Sequence, residues 1–296
     1  ISNIKSNQEA LAITREDVTL LLLPVSYSYG LIAQFLSHLF SGATIVLGER
    51  LLTVLQLPEL LLRYQVTNIF MTPLLARLVL YYNQDAQRMS NRLRFITLGG
   101  DKPQAQTLQK IFSRFGCPIY GTYGLAEAGP RVATHKSLEL LSGEEEWCIG
   151  EINPGISVEV LAEKKYEEMY RHSNVGYLSI KSPSIYLGYI KGNKLKKTAS
   201  PQVLRTKDIC MEKGKRFYLL GREDNFIICK NKIIWFYRLS RDLYETPGIL
   251  KIMIRKYGGN MLEIKIFHRN VISIAGLQDI LEKKYDLRHG DNYHIK

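Results

Sequence analysis

Leu31, Ile32, Phe35, Leu36, Leu39 and Phe40 recur at the spacing of one helix face. Gly42 stops that helix, and residues 43–47 follow as a short buried strand. The alternation continues with a helix over 51–63 and a strand over 66–71. Pro73–Tyr82 is a helix with proline at its first position, which leaves no donor wasted there. A strand spans 93–98. Asp101 is placed to cap a helix with Pro103 in its first turn, and Leu108, Ile111, Phe112 and Phe115 form its inner face. Residues 118–122 are again a strand. Strand and helix alternating at this pace predict an α/β layer built on a largely parallel sheet.

From Trp147 the pattern shortens. Residues 156–161, 176–181 and 217–220 read as short strands between Gly, Pro and charged turns. After Gly221 come a hairpin over 225–234, a short helix over 240–245, strands over 250–257 and Met261–His268 around Gly258 and Gly259, and a helix over 273–285. The polar stretch 191–200 is expected to be a disordered loop. The predicted fold is α/β. Residues 1–146 form the layered, largely parallel sheet with helices, 147–221 a small β-rich subdomain, and 222–296 a small mobile α+β domain.

Composition narrows the class. The chain has 296 residues, 46% hydrophobic and 23% charged, which is ordinary for a globular protein. No run of about 18 apolar residues occurs, so no spanning helix and no membrane partner are expected. The first residues have no signal-peptide pattern, and the missing initiator Met makes upstream sequence expected. Cys117, Cys148, Cys210 and Cys229 lack metal spacing and read as reduced, mostly buried thiols of a cytoplasmic protein. The net charge is +12, concentrated in 191–197, 213–216, 230–232 and 238–241. Such faces are either simply solvated or suited to an acidic carrier or a phosphate-bearing ligand. No recognition motif accompanies them, so no nucleic-acid partner is expected.

Candidate chemistry concentrates in 120–131, Tyr-Gly-Thr-Tyr-Gly-Leu-Ala-Glu-Ala-Gly-Pro-Arg. Glycines let backbone approach a ligand closely, an aromatic face stacks on a base, and a glutamate beside phosphates holds Mg²⁺. Alone, this pattern is better read as a tight turn with a surface glutamate.

Its order with other segments resembles the adenylate-forming superfamily of acyl-CoA synthetases, fatty acyl-AMP ligases and peptide-synthetase adenylation domains. The segments are Leu23-Pro24 through Gly30, Ser41-Gly42-Ala43, Leu98-Gly99-Gly100-Asp101, Tyr123-Gly124-Leu125-Ala126-Glu127, Gly176-Tyr177-Leu178, Gly188-Tyr189, Thr206-Lys207-Asp208 and Gly221-Arg222-Glu223-Asp224. The resemblance implies ATP and Mg²⁺ as cofactors, a carboxylic acid as substrate, and coenzyme A or an acyl or peptidyl carrier protein as acceptor. It implies catalytic roles for Glu127, the Mg²⁺ ligand, and for Arg222. It assigns ATP or AMP to Gly99, Gly100, Asp101, Gly121, Thr122, Tyr123, Gly124, Ala126, Asp208, Tyr218 and Arg222. Within that set, Tyr123 would stack on adenine and Asp208 would accept from both ribose hydroxyls. Tyr27, Ser28, Gly100, Leu125 and Ala128 would line the acid pocket, and Asp224 would be the hinge.

The same resemblance puts the family's phosphate loop before residue 1, with residues 1–12 as the helix after it, and the catalytic lysine beyond Lys296, which is not that lysine. The chain alone is therefore expected to be incomplete or inactive, either as one half of a pair with a separate N-terminal half or as part of a longer chain. Departures are Ala126 for the signature threonine, Lys207 for the middle glycine of Thr-Gly-Asp, Asn231 for a loop glycine and Tyr27 for the pocket histidine. No aspartate in 26–31 would hold an ammonium, so a fatty, aryl or other acid is expected over an α-amino acid. The alternative is a non-catalytic scaffold that binds acyl groups or carrier proteins.

Overall fold

The computed structural model describes residues 1–48, 50–83, 92–136, 147–198, 200, 202–230, 232–257, 261–268, 273–290 and 292–295. The readings made for Asn231, for Lys296 and for the turn at Gly258 and Gly259 lie outside them. The chain forms two compact units. One is Ile1–Leu161, Leu178–Thr206 and Glu212–Tyr218, and the other is Ala162–Tyr177, Lys207–Met211 and Leu219–Lys296.

The first unit carries the α/β layer that the alternation predicts. Its strands are β1 (Val18–Leu21), β2 (Thr44–Leu47), β3 (Asn68–Met71), β4 (Phe95–Gly99), β5 (Ile119–Tyr123) and β6 (Ala133–His135). After β7 (Trp147–Cys148), β8 (Glu151–Ile152) completes a seven-stranded sheet of order β2-β1-β3-β4-β5-β6-β8. The first five of these strands are mutually parallel, while at one edge β6 pairs antiparallel with β5 and β8 antiparallel with β6. β3 and β4 are buried at every position, as strands covered on both faces must be.

Helices α1 (Ser2–Leu11), α2 (Ser37–Ser41), α3 (Arg50–Leu55), α4 (Leu57–Arg63), α5 (Pro73–Tyr82) and α6 (Ala105–Phe115) accompany the sheet, and a π-helical segment, Tyr29–Leu36, runs into α2. Gly42 ends α2 with φ 73°, the left-handed conformation glycine adopts without strain. α5 opens as its sequence predicts, with Pro73 in first place and the Thr72 hydroxyl accepting from the Leu75 N–H at 3.2 Å. α6 buries Leu108, Ile111 and Phe115, but it starts at Ala105 with Gln104 before it. Asp101 does not cap it; its carboxylate accepts from the Lys102 N–H at 2.8 Å. Pro103 disfavours helical backbone at Lys102, which delays the helix.

A buried polar hub fixes the start of the sheet. The Asp17 carboxylate, 1% exposed, accepts from Arg94 Nη1 at 3.0 Å and from the Thr67 hydroxyl at 2.6 Å. Arg94 also donates to the Ala12 carbonyl at the left-handed end of α1. One charge pair thus gathers the entry to β1, the entries to β3 and β4, and the C-terminus of α1.

Further along come β9 (Ser157–Ala162), α7 (Lys164–Tyr170), β10 (Val175–Lys181), β11 (Gly188–Lys191), β12 (Lys194–Lys197), β13 (Val203–Lys213) and β14 (Arg216–Arg222). A five-stranded sheet has the order β7-β14-β13-β10-β9. Most of the stretch expected to be disordered is ordered here: residues 194–197 pair with 188–191 as an antiparallel hairpin.

The second unit adds β15 (Phe226–Cys229), β16 (Lys232–Trp235), α8 (Phe236–Leu243), β17 (Ile249–Tyr257), β18 (Met261–His268), α9 (Ile274–Tyr285) and β19 (Tyr293–Ile295). The strand pair β17-β18 matches its expected span, and β19 adds to it in parallel. α8 begins four residues earlier than expected because Phe236 and Leu239 join Leu243 on its buried face. Ser273 caps α9, its hydroxyl accepting from the Gly276 N–H at 3.2 Å. One core joins Leu239 and Leu243 to Leu262, Ile264, Leu277 and Leu281. A second surrounds Trp235 with Tyr166, Tyr177 and Leu220. No helix among the described residues is long and apolar enough to cross a membrane. The four cysteines are free; Cys117 and Cys210 are buried, the other two partly so.

Two substitutions test this second unit. Asp242 on α8, with its side chain 1% exposed, takes Lys284 at 2.8 Å, Arg241 at 2.9 Å and the Tyr285 hydroxyl, so it clamps α8 to α9. Asp242→Asn is expected to lower stability by about 2 kcal/mol, since its partly exposed cations lose a buried counter-charge. Denaturant unfolding followed by tryptophan fluorescence measures it. Gly221 lies flat under Trp235, and a Cβ there would stand 2.0 Å from the indole ring. Gly221→Ala is expected to cost roughly 1–3 kcal/mol by overpacking, read from the same unfolding curves.

Candidate functional site

In the first unit the nominated residues gather where parallel strands end, the usual place for a ligand in an open α/β sheet. β4 and β5 run side by side, pairing Leu98 with Gly121 and Gly99 with Thr122. The missing side chain of Gly99 makes room for the Tyr29 ring and for Thr122, each 3.0 Å from where a Cβ would stand. Gly100, at φ 87°, lies beneath the Tyr27 hydroxyl, 2.6 Å from its own absent Cβ. The glycine pair is thus covered by two tyrosines, and their rings meet edge to face at 6.1 Å. Tyr29 is buried and Tyr27 37% exposed, while Ser28 is half-buried and Asp101 exposed.

β5 delivers Tyr123, 5% exposed, to the neck of a closed loop. A Cβ on Gly124 would stand 2.1 Å from the Pro130 carbonyl oxygen, so only glycine lets the outgoing and returning chain pass. Val132 then bonds back to the Tyr123 carbonyl at 2.8 Å. The apex is a short 3₁₀ turn, Ala126–Ala128, with Ala126 exposed, Glu127 and Leu125 half-buried and Ala128 fully buried. The main-chain oxygen of Glu127 accepts from the Tyr186 N–H at 2.8 Å. Its carboxylate oxygen Oε1 accepts from the Tyr189 hydroxyl at 2.7 Å.

Directly after the neck, Arg131 is fully buried. Its guanidinium donates to the Thr134 hydroxyl at 3.1 Å and to the Thr97 hydroxyl at 3.0 Å, lies 5.8 Å from the Phe70 ring, and leaves Nε without a partner among the described residues. Tyr29 shares Thr97. Burial pushes the guanidinium down to about 10, still charged at neutral pH, and pushes the Tyr29 hydroxyl up. The Arg131 carbonyl accepts from Asn3 of α1 at 2.9 Å. No role was read for Arg131 from the sequence. Its one signal in the sequence is a lone charge between Pro130 and the apolar pair Val132 and Ala133.

A cavity of about 290 Å³ opens in this unit between Ser2, Lys5 and Ser6 of α1 and the loops at Pro154 and Ser182. None of the nominated site residues lines it. Tyr218, also in this unit, is half-buried with the Lys213 ammonium 5.4 Å from its ring centre.

The second unit holds the other nominated group. Asp208 on β13, with its side chain 3% exposed, pairs with Arg222 on β14 at 3.1 Å. Beside them Lys207 meets Asp224 at 2.9 Å, both well exposed. The Glu223 carboxylate accepts from the Tyr177 hydroxyl at 2.7 Å, and its N–H donates to the Lys207 carbonyl at 2.8 Å. The Gly-Arg-x-Asp segment is therefore fastened to the strand that carries Asp208.

No group of three His, Cys, Asp or Glu side chains among the described residues could hold a metal. Glu127 alone offers a half-buried carboxylate at the loop apex. That donor set fits a magnesium ion bound by one protein carboxylate together with phosphate oxygens and water.

Residues 1–190 match the family of AMP-binding enzymes. A 2-succinylbenzoate–CoA ligase of Lactococcus lactis is 27% identical over 252 residues, covering 84% of this chain and 51% of that protein. Among solved structures, o-succinylbenzoate CoA synthetase of Bacillus subtilis with its acyl-adenylate superposes with TM-score 0.78 at 19% identity, covering 99% of this chain and 60% of that one. The adenylation and carrier portion of McyG with phenylalanyl-adenylate gives TM-score 0.78 at 16% identity, over 99% and 58%. The chain thus spans about half the length of such a ligase. By sequence over most of its length and by fold over nearly all of it, this chain belongs to the adenylate-forming, AMP-binding superfamily.

Proposed function

We propose that this chain supplies the nucleotide-gripping portion of an ATP-dependent acid–thiol ligase. In the reaction a carboxylate oxygen attacks the α-phosphorus of ATP, the bond to the bridging oxygen breaks, and pyrophosphate leaves. A thiol of coenzyme A or of a carrier protein then takes the acyl group from the mixed anhydride, releasing AMP. The observation that carries this reading is the pinched loop with Glu127 at its apex, inside the family match. Magnesium, when bound with ATP, offsets charge on the phosphates.

The chain's own residues take these roles. The Glu127 carboxylate holds the metal. Tyr27, Ser28, Gly100, Leu125 and Ala128 border the acid. Gly99, Asp101, Gly121, Thr122, Gly124 and Ala126 form the wall along the nucleotide, and Tyr218 contacts it. Tyr123 offers its face to adenine; it is 5% exposed, so a base reaches it only by moving a neighbouring side chain. Asp208 takes the ribose hydroxyls and Arg222 lies at the phosphate side, their ion pair opening as the sugar arrives. Asp224 is the hinge. The acid is fatty, aryl or otherwise without an α-ammonium. A cytoplasmic setting suits four free thiols.

A second reading, a non-catalytic relative that binds acyl groups or carriers, draws on the burial of Tyr123 and on the engagement of Asp208 by Arg222. ATP–pyrophosphate exchange with a panel of acids separates the two. We expect no exchange by the chain alone and exchange once polypeptide equivalent to the parts of the relatives that this chain does not span is added. Exchange by the chain alone overturns that requirement. Silence in both, with measurable carrier binding, favours the second reading. Asp208→Asn is expected to weaken AMP binding about tenfold by calorimetry, roughly 1.4 kcal/mol, because one of two acceptor oxygens is lost. Equal losses for AMP and 2′-deoxy-AMP remove Asp208 from the ribose site.

A further inference from the structure

The hairpin of β11 and β12 forms a two-stranded sheet of its own. A Cβ on Gly188 would stand 2.1 Å from the Lys196 carbonyl oxygen, which brings the two strands close where the hairpin begins. Its first strand reaches back to the Glu127 loop at two points. The Tyr186 N–H, just before β11, donates to the Glu127 carbonyl at 2.8 Å, and the Tyr189 hydroxyl donates to Glu127 Oε1 at 2.7 Å. The two tyrosine rings brace one another edge to face, with centroids 4.9 Å apart. Backbone and side chain of Glu127 are therefore both held from one short segment.

A carboxylate has two oxygens and about four lone-pair positions. Tyr189 occupies one position on Oε1, and among the described residues Oε2 takes no hydrogen bond. A glutamate that is the sole protein ligand of a metal gains most from such a tether, because nothing else selects its rotamer. Its long side chain otherwise gives up rotamer freedom on being fixed.

We infer that Tyr189 is a positioning residue that orients Glu127 Oε2 toward the magnesium of a bound magnesium–nucleotide. The inference rests on the reading of Glu127 as the metal ligand. Partners of ligating groups typically change metal affinity 10–100-fold when removed. Tyr189→Phe deletes only the hydroxyl and keeps the ring that packs on Tyr186.

The test is calorimetric binding of ATP across a magnesium series, with wild type, Tyr189→Phe and Glu127→Gln compared, and thermal melts to confirm equal folding. Tyr189→Phe is expected to raise the magnesium concentration at half-effect about tenfold and to leave metal-free ATP binding unchanged. An unchanged midpoint in Tyr189→Phe alongside a raised one in Glu127→Gln overturns the role of Tyr189 alone. A lowered midpoint overturns it as well, since the hydroxyl would then be competing with the metal. An unchanged midpoint in Glu127→Gln, or no magnesium-dependent binding by wild type, overturns the reading of Glu127 and the inference with it.

Discussion

The first unit turns on a cation that has been taken completely out of water. A buried charge is costly unless it is met by hydrogen bonds, and Arg131 is met by the hydroxyls of Thr97 and Thr134 and by the face of Phe70. Those partners belong to β4, β6 and β3, so the guanidinium can be satisfied only when three strands are in register. Tyr29 reaches the same Thr97 from the π-helical segment, and α1 holds the Arg131 main chain through Asn3. The pinched loop with Glu127 at its apex closes immediately before this residue. Geometry at the apex is therefore inherited from a polar knot inside the core.

A consequence is that the glycine-rich wall and the core cannot be separated into a structural and a functional part. Gly99 makes room for Tyr29, which is bonded to the network around Arg131, and Gly100 makes room for Tyr27. What a ligand meets at that wall is set by how two tyrosines of the chain already lie on it.

Much of the layer was legible because its periodicities are clean. α6 writes its buried face as Leu108, Ile111 and Phe115, and Pro73 announces α5. The succession of short glycine, tyrosine and acid segments placed the family. Other features were hidden for identifiable reasons. β11 and β12 carry four lysines, which composition reads as an unstructured loop, yet Gly192 at φ 59° supplies the turn that pairs them. α8 begins with two aromatics that look like the end of a strand. The tether from Tyr189 to Glu127 joins positions 62 residues apart, and no local pattern encodes such a contact.

Gly221 illustrates how a signature residue can be kept for a reason unrelated to chemistry. It opens the Gly-Arg-x-Asp segment, and it is glycine because the Trp235 indole rests directly on its backbone. Arg222 and Asp224 beside it face charged partners, whereas Gly221 answers to a hydrocarbon surface. Selection for folding alone would preserve the first letter of that motif after selection for catalysis had ceased. A descendant that no longer handled nucleotides would still spell part of the signature, and counting matched letters would overstate how recently it had been an enzyme.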